Sequence, residues 1–387
     1  MAAIDEQLDR LLSMVAERID PDRCREVDER YRAALAWRQC DHPPLVVQEP
    51  FGEVMALPEP WAAFTRYSYR RSFDDPRAMM QNQILSRIVP GLLLDDDNPL
   101  AIRNDHGTIQ IASLLGGEWM MHEDGYPWIK PDVPMEKIEA IADDSKPIDF
   151  QGGVLPRTVE TLQFYRHKFA QFPPCDEAIQ ISMPDLQGPM DTAEQLWGGE
   201  LYLAFYETPD LLARLLTRIV DVMLAVIEKL RPLTRDRLDP EANTQHGYLI
   251  PGRLLVRNDS SIMLSPQMYA EHIRPHDQRL LEQVGTGAIH FCGNGQHLVE
   301  PMLAAAPPIR GLDFGQSYMH DLDRVYADCQ PHRVALTHIM PPRDELADGR
   351  IARRYPTGVV FSYETQDISD GREVLAGYHR RRVADPV

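Results

Sequence analysis

From residue 254 onward the chain repeats one unit, a short apolar run, a polar turn and a helix-forming stretch, at intervals of about 25 residues. Leu254-Leu-Val256 leads into Asn258-Asp259, and Ala288-Ile-His-Phe-Cys292 into Gly293-Asn294. Gly311-Leu-Asp-Phe314 leads into Gly315-Gln316, Val334-Ala-Leu-Thr-His338 toward Pro341, and Val359-Val-Phe-Ser-Tyr363 into Glu364. Two earlier runs fit the same pattern, Leu45-Val-Val47 after Pro43-Pro44 and Ile179-Gln-Ile-Ser-Met183 before Pro184-Asp185. Buried strands that alternate with helices imply a parallel sheet. A regular series of about eight such units, with polar residues at the strand ends, predicts a (β/α)₈ barrel. The competing doubly wound sheet wants a G-x-G-x-x-G turn after its first strand, and Gly116-Gly117 and Gly198-Gly199 lack that spacing. The fold class read from the sequence is therefore α/β, a TIM barrel over residues 41–387. A helical extension over residues 1–40 precedes it, with Leu8, Leu11, Leu12 and Val15 on one face.

Two helices have legible ends. Thr208-Pro209-Asp210 reads as an N-cap, a first-turn proline and a dipole-matched acid. Leu212, Leu215, Leu216, Ile219, Met223, Val226, Ile227 and Leu230 then recur at three and four, and Pro232 stops the run. Ser265-Pro266 opens a second helix that ends near Gly285.

Composition narrows the function classes. Forty Lys+Arg against 59 Asp+Glu leave a net charge of −19, a field that repels nucleic acid and anionic membrane. No apolar run reaches the roughly 18 residues of a membrane span, and the acidic, amphipathic N-terminus is no secretory signal. Five scattered cysteines fit no disulfide framework. A cytoplasmic protein acting on a small molecule is expected, without a nucleic-acid or membrane partner.

In a barrel the chemistry sits at the carboxyl ends of the strands. Strand side chains alternate, so His290 and Cys292 share the face toward the mouth while Ile289 and Phe291 pack outward. An imidazole and a thiolate so placed supply two of zinc's three or four protein ligands. The third ligand stays open among Asp313, Gln316, His338, Tyr363 and Glu364. Cys329 ends a helix on the opposite rim and is excluded. Asp185 and Asp259 end earlier strands, where a carboxylate either binds a cationic group, works as acid or base, or caps the next segment. Gln187, Tyr363, Arg257, and Asn104 and His106 in the turn Asn104-Asp-His-Gly-Thr108 are the candidates for contact with a small-molecule substrate.

The stretches Asp185-Leu-Gln-Gly-Pro-Met-Asp191, Asn258-Asp-Ser260, Leu264-Ser-Pro-Gln-Met-Tyr269 with Pro275, and Ala288-Ile-His-Phe-Cys-Gly-Asn294 give the chain a family look. It resembles the uroporphyrinogen decarboxylase superfamily, a group of (β/α)₈ barrels. That group includes the decarboxylase, the corrinoid-dependent methyltransferases and, more distantly, cobalamin-independent methionine synthase. The decarboxylase carries an arginine-rich Met-Arg-Gln-Ala-Gly-Arg stretch for its substrate carboxylates, and Trp37-Arg-Gln-Cys-Asp-His-Pro-Pro44 lacks that cluster. The zinc methyltransferases carry His-x-Cys after the fifth strand, matched by His290 and Cys292, and a distant cysteine after the eighth. Glu364 or Thr365 stands at that second place.

The resemblance implies a metal-assisted methyltransferase that moves a methyl group between a small methylated substrate and a corrinoid protein or thiol acceptor. Zinc would sit on His290 and Cys292, with His338 or Glu364 beside them. Asp185, Asp259 and Glu364 would orient substrate or handle protons. The resemblance also implies a homodimer. Its decarboxylase branch implies the alternative, metal-independent loss of CO₂ from a tetrapyrrole-like or small carboxylate held by arginines such as Arg103, Arg253 and Arg257. A barrel that binds a ligand without turnover is the third class.

Overall fold

The computed structural model of the protein describes residues 2–380 apart from 51, 131–132, 144, 236–240 and 246. It is a mixed α/β structure. The strands are β1 (Leu45–Gln48), β2 (Ala101–Ile102), β3 (Trp119–Met120), β4 (Trp128–Ile129), β5 (Gln180–Ile181), β6 (Ala242–Gln245), β7 (Tyr248–Pro251), β8 (Leu254–Arg257), β9 (Gly287–Phe291), β10 (Ile309–Phe314), β11 (Ala335–Ile339) and β12 (Val359–Glu364). Six of them form one parallel sheet in the order β1-β12-β11-β10-β9-β8. β2 and β5 form a separate parallel pair, while β3–β4 and β6–β7 are antiparallel. The apolar runs of the sequence thus become strands within a residue or two. The exception is Ile179–Met183, of which only two residues pair.

The sheet has two differently packed faces, as alternation requires. Leu45, Val47, Leu254, Val256, Ile289, Phe291, Leu312, Phe314 and Phe361 join the large apolar cluster formed with the helices. Val46, Leu255, Ala288, Ala335 and Val360 face the other way and join a smaller cluster with the β6–β7 hairpin and α2 (Pro21–Leu35). Small side chains admit that hairpin: Ala288, Gly311 and Ala335 lie in register across three strands. A Cβ on Gly311 would come within 2.6 Å of the Pro251 ring, so the close approach requires glycine.

The helical reading of the first 40 residues holds for α1 (Ala2–Ala16) and α2, and Leu8, Leu11, Leu12 and Val15 are fully buried. The helix predicted after Thr208 runs over Pro209–Leu230. Its cap differs from expectation: Thr208 makes no side-chain capping bond, and the proline and acid of the first turn remain as the start signals. Ser265 does cap, accepting from the Met268 amide at 3.2 Å. That segment ends at Gly285 after a π-turn over Tyr269–Ile273, which accommodates the missing N–H of Pro275. No described helix is long and apolar enough to cross a membrane.

At the outer edge of β1 two aspartates replace a neighbouring strand. The Leu45 amide donates to Asp97 at 2.9 Å and the Val47 amide to Asp96 at 2.7 Å, while the Asp97 amide returns a bond to the Leu45 carbonyl. Asp97 is fully buried and pairs with Arg30, whose side chain is 9% exposed. Burial alone would raise its carboxyl; the bond from His42 and the Arg30 charge outweigh that and hold it well below the usual carboxylate range. Asp97→Ala would leave Arg30 with Asp41 alone, at 3.1 Å, and the Leu45 amide unbonded, so denaturant unfolding should show a loss of about 1–3 kcal/mol. The sign with pH follows from a depressed folded-state value. The contribution is complete above about pH 4 and is lost as the pH falls toward that value. Wild-type and variant stability should converge in acid, and a constant gap down to low pH would refute this role.

Candidate metal centre

The register of the parallel strands lays a polar row across the face that carries Ala288. Arg257 pairs with His290, His290 with Asp313, and Asp313 with Thr337, each two residues beyond the small-residue row or its equivalent. Adjacent strands lie under 5 Å apart, so neighbours in such a row bond directly. Asp313 accepts from His290 Nδ1 at 2.5 Å, Thr337 Oγ1 at 2.6 Å and the Tyr248 hydroxyl at 3.1 Å. Burial alone would raise the Asp313 carboxyl. The His290 bond, the imidazoles of His290 and His338, and the Thr337 hydroxyl hold it well below the usual range instead.

With Nδ1 tied to Asp313, the second ring nitrogen of His290 points at the strand ends. Cys292 Sγ lies 3.4 Å from Nε2 and Asp259 Oδ1 lies 3.6 Å from it. The ligand atoms of Asp259, His290 and Cys292 all fall within 4.8 Å of one another. Bond lengths of about 2.0–2.3 Å set tetrahedral zinc ligands roughly 3.3–3.8 Å apart, so the two separations from Nε2 suit a single ion. The donor set also suits one. Burial, followed by the Asp259 charge and hydrogen bond, pushes the Cys292 thiol up to about 12, so the thiolate needs a cation beside it. A carboxylate behind the distal nitrogen of a ligating histidine is a familiar supporting arrangement.

The local chain makes room for this grouping. A Cβ on Gly315 would sit 2.5 Å from Cys292 Sγ, so the turn after β10 must be glycine there. Asp259 is fixed from both sides: its carboxylate accepts from the Cys292 amide at 2.6 Å, and its own amide donates to Asp191 at 3.1 Å. Asp191, in the first turn of the helix Pro189–Trp197, also accepts from the Ser260 amide at 2.8 Å. Burial and then the Asp259 charge push the Asp191 carboxyl up to about 8.

The structure redistributes the residues expected from the sequence. His290 and Cys292 do lie together. The third member is Asp259, expected as an acid or base, and Asp313 stands behind His290 rather than beside the ion position. Among the described residues no other group of three His, Cys, Asp or Glu gathers in this way. His338 is not in it. A left-handed backbone (φ +58) stacks its ring on Tyr248, with centroids 5.2 Å apart, and sets Nε2 3.2 Å from the Gln48 amide nitrogen. Glu364 is exposed at the end of β12, and the Tyr363 hydroxyl donates to Asp370 in the last helix at 2.6 Å. Cys329 is buried at the end of its helix, as expected. Gln316 accepts from the Gly293 amide.

Asp185 and Gln187 form a second cluster with Arg257. Arg257 Nε bonds Asp185 at 2.8 Å, and both the amide and the side chain of Gln187 donate to the same carboxylate. Asn104 and His106 turn into a buried network: the two side chains meet at 2.9 Å, and Asn104 and Gln110 bond Thr158. Burial lowers His106 to about 4, so it stays neutral there. Asp191 is the member that sequence reasoning passed over. The one signal for it was its place in the stretch Asp185–Asp191, and its bond to residue 259 is a matter of tertiary packing. No protein-family model matches this chain, and no curated protein matches it in sequence.

If Asp313 holds His290 as a ligand, Asp313→Asn should leave the fold intact and lower metal affinity by about 10- to 100-fold. Competition against a chromogenic chelator measures this directly. Equal affinity in wild type and variant would show that Asp313 only packs.

Proposed function

We propose that the chain is a metal-assisted methyltransferase of the uroporphyrinogen decarboxylase superfamily, exchanging a methyl group between a small methylated substrate and a corrinoid protein or thiol acceptor. The observation that carries the reading is the Asp259–His290–Cys292 grouping at the carboxyl ends of adjacent parallel strands. A (β/α)₈ barrel is part of the proposal, with β2 and β5 completing the ring between β1 and β8. Two contacts support that closure. The Asp96–Asp97 carboxylates, just before β2, bond the free edge of β1. Gly188, just after β5, lies so near the end of β8 that a Cβ would meet the Arg257 carbonyl at 2.2 Å.

Asp259, His290 and Cys292 would hold the ion, zinc by its fit to an N, S, O donor set. A cation bound there supplies Lewis acidity toward a leaving oxygen, or stabilises an acceptor thiolate. The chain's own residues do the rest. Asp313 keeps the His290 ring in one tautomer and orientation, and Asp191 keeps the Asp259 turn against β9. Arg257, Asp185 and Gln187 form a neutralised, mutually bonded cluster next along the row, suited to orienting a polar substrate rather than to exchanging protons. The rival, a metal-free decarboxylase, draws on Arg257, which has a buried Nη2 without a partner among the described residues.

Metal analysis of freshly purified, untagged protein should give about one zinc per chain. Asp259→Ala and the His290→Ala/Cys292→Ala double variant should lose it while remaining folded. Methyl transfer from a panel of methyl ethers and amines to cob(I)alamin or a small thiol, followed spectroscopically, should stop in the same variants. Folded protein that binds no metal, and releases CO₂ from carboxylates in the presence of chelator, would replace this reading with the decarboxylase.

A further inference from the structure

The opposite ends of the same strands carry a feature that the metal chemistry does not use. Five arginines, Arg32, Arg38, Arg253, Arg310 and Arg333, line one cavity of about 710 Å³, with Glu241 as the acid among them. Arg253 immediately precedes β8, Arg310 is the second residue of β10, and Arg333 lies just before β11. Arg32 belongs to α2, and Arg38 follows it. Because the strands are parallel, this cavity is at their amino ends, while Asp259 and Cys292 follow their carboxyl ends.

Two of these side chains stand at irregular backbone positions. In the pairing of β10 with β9, Ile309 faces Gly287 and Gly311 faces Ala288, so Arg310 is the extra residue of a bulge. It is exposed between two buried neighbours. A bulge of this kind re-aims one side chain out of the ladder. Arg333 sits in the left-handed region at φ +53, where it closes the helical turn Gln330–His332 and turns the chain toward β11.

Among the described residues these charges are balanced only in part. Glu241 pairs with Arg32, and Arg38 donates to the Arg32 carbonyl at 3.0 Å. Among the described residues Arg38, Arg310 and Arg333 have no carboxylate partner. Three uncompensated guanidinium groups around one cavity repel each other, and a chain with net charge −19 does not need them for solubility. A ligand with three or more negative charges removes the repulsion, and the planar guanidinium fork matches phosphate oxygens two at a time. Leu35, Ala36 and Pro251 provide an apolar wall in the same cavity. Its volume is that of a small-molecule site. The surrounding acidic surface disfavours a long polyanion such as nucleic acid.

We propose that this cavity binds an organic di- or triphosphate, its phosphates on Arg38, Arg310 and Arg333 and its apolar part against Leu35, Ala36 and Pro251. The site stands apart from the proposed methyl-transfer centre, so either can fail without the other.

The test is calorimetric titration of the full chain with inorganic triphosphate, ADP and ATP, and with citrate and sulfate at matched ionic strength. The phosphate probes should bind and weaken as salt rises, with ADP and ATP tighter than inorganic triphosphate. Arg310→Ala/Arg333→Ala should weaken them by at least about tenfold, the effect of losing a charge-assisted bond. Metal content should be unchanged. Both positions are exposed, and a thermal melt verifies folding; Arg38→Ala is the second variant should the double one unfold. No binding at millimolar probe, equal binding by folded variant and wild type, or equal binding of citrate or sulfate would overturn the proposal.

Discussion

Asp313 is fully shielded from water and still bears a charge, which is tolerable because three donors converge on it. His290, Thr337 and Tyr248 come from β9, β11 and the β6–β7 hairpin, so the carboxylate ties together three pieces of chain far apart in sequence. Any shift of register by one residue would turn the whole row to the opposite face and leave a buried charge without partners. The same register places Ala288, Gly311 and Ala335 under the hairpin. One alignment therefore serves both the packing of the inner face and the orientation of the His290 ring.

The two ends of the sheet have opposite electrostatic character. At the carboxyl ends, Asp259 and Asp313 surround an imidazole and a thiol, an environment that resists thiolate formation unless a cation is present. At the amino ends, guanidinium groups outnumber acids around a cavity among the described residues. An acidic chain has concentrated positive charge at one place, by means of a bulge at Arg310 and a left-handed residue at Arg333.

Much of the architecture was legible beforehand, since apolar runs bounded by turn residues mark strands wherever burial is complete. The strands β8 to β12 and the helix Pro209–Leu230 fall where their patterns end. Composition alone overextends the β5 region, since Ile179–Met183 has strand character while its neighbours offer a partner for two residues only. The candidate site was legible in part. His290 and Cys292 follow from alternation, while the sequence offers Asp259 only as a proton-handling or capping residue. Its position beside the thiol depends on Asp191, 68 residues earlier, holding the turn after β8. His338 has a ligand's chemistry, but its backbone conformation turns the ring onto Tyr248, and no spacing rule encodes that.

By itself the sequence determined what covalent geometry and local burial control: the succession of strands and helices, the shared face of His290 and Cys292, and the acidic field of the whole chain. Alternation has a period of two residues whatever the strand packs against, so such inferences need no knowledge of neighbours. Tertiary structure alone decided which strands adjoin, and so which carboxylate backs the histidine and which one completes the group with the thiol. Asp313 and Asp259 are chemically the same side chain. Their different places are set by register between parallel strands and by a turn anchored from a distant helix, interactions that exist only once the chain has folded.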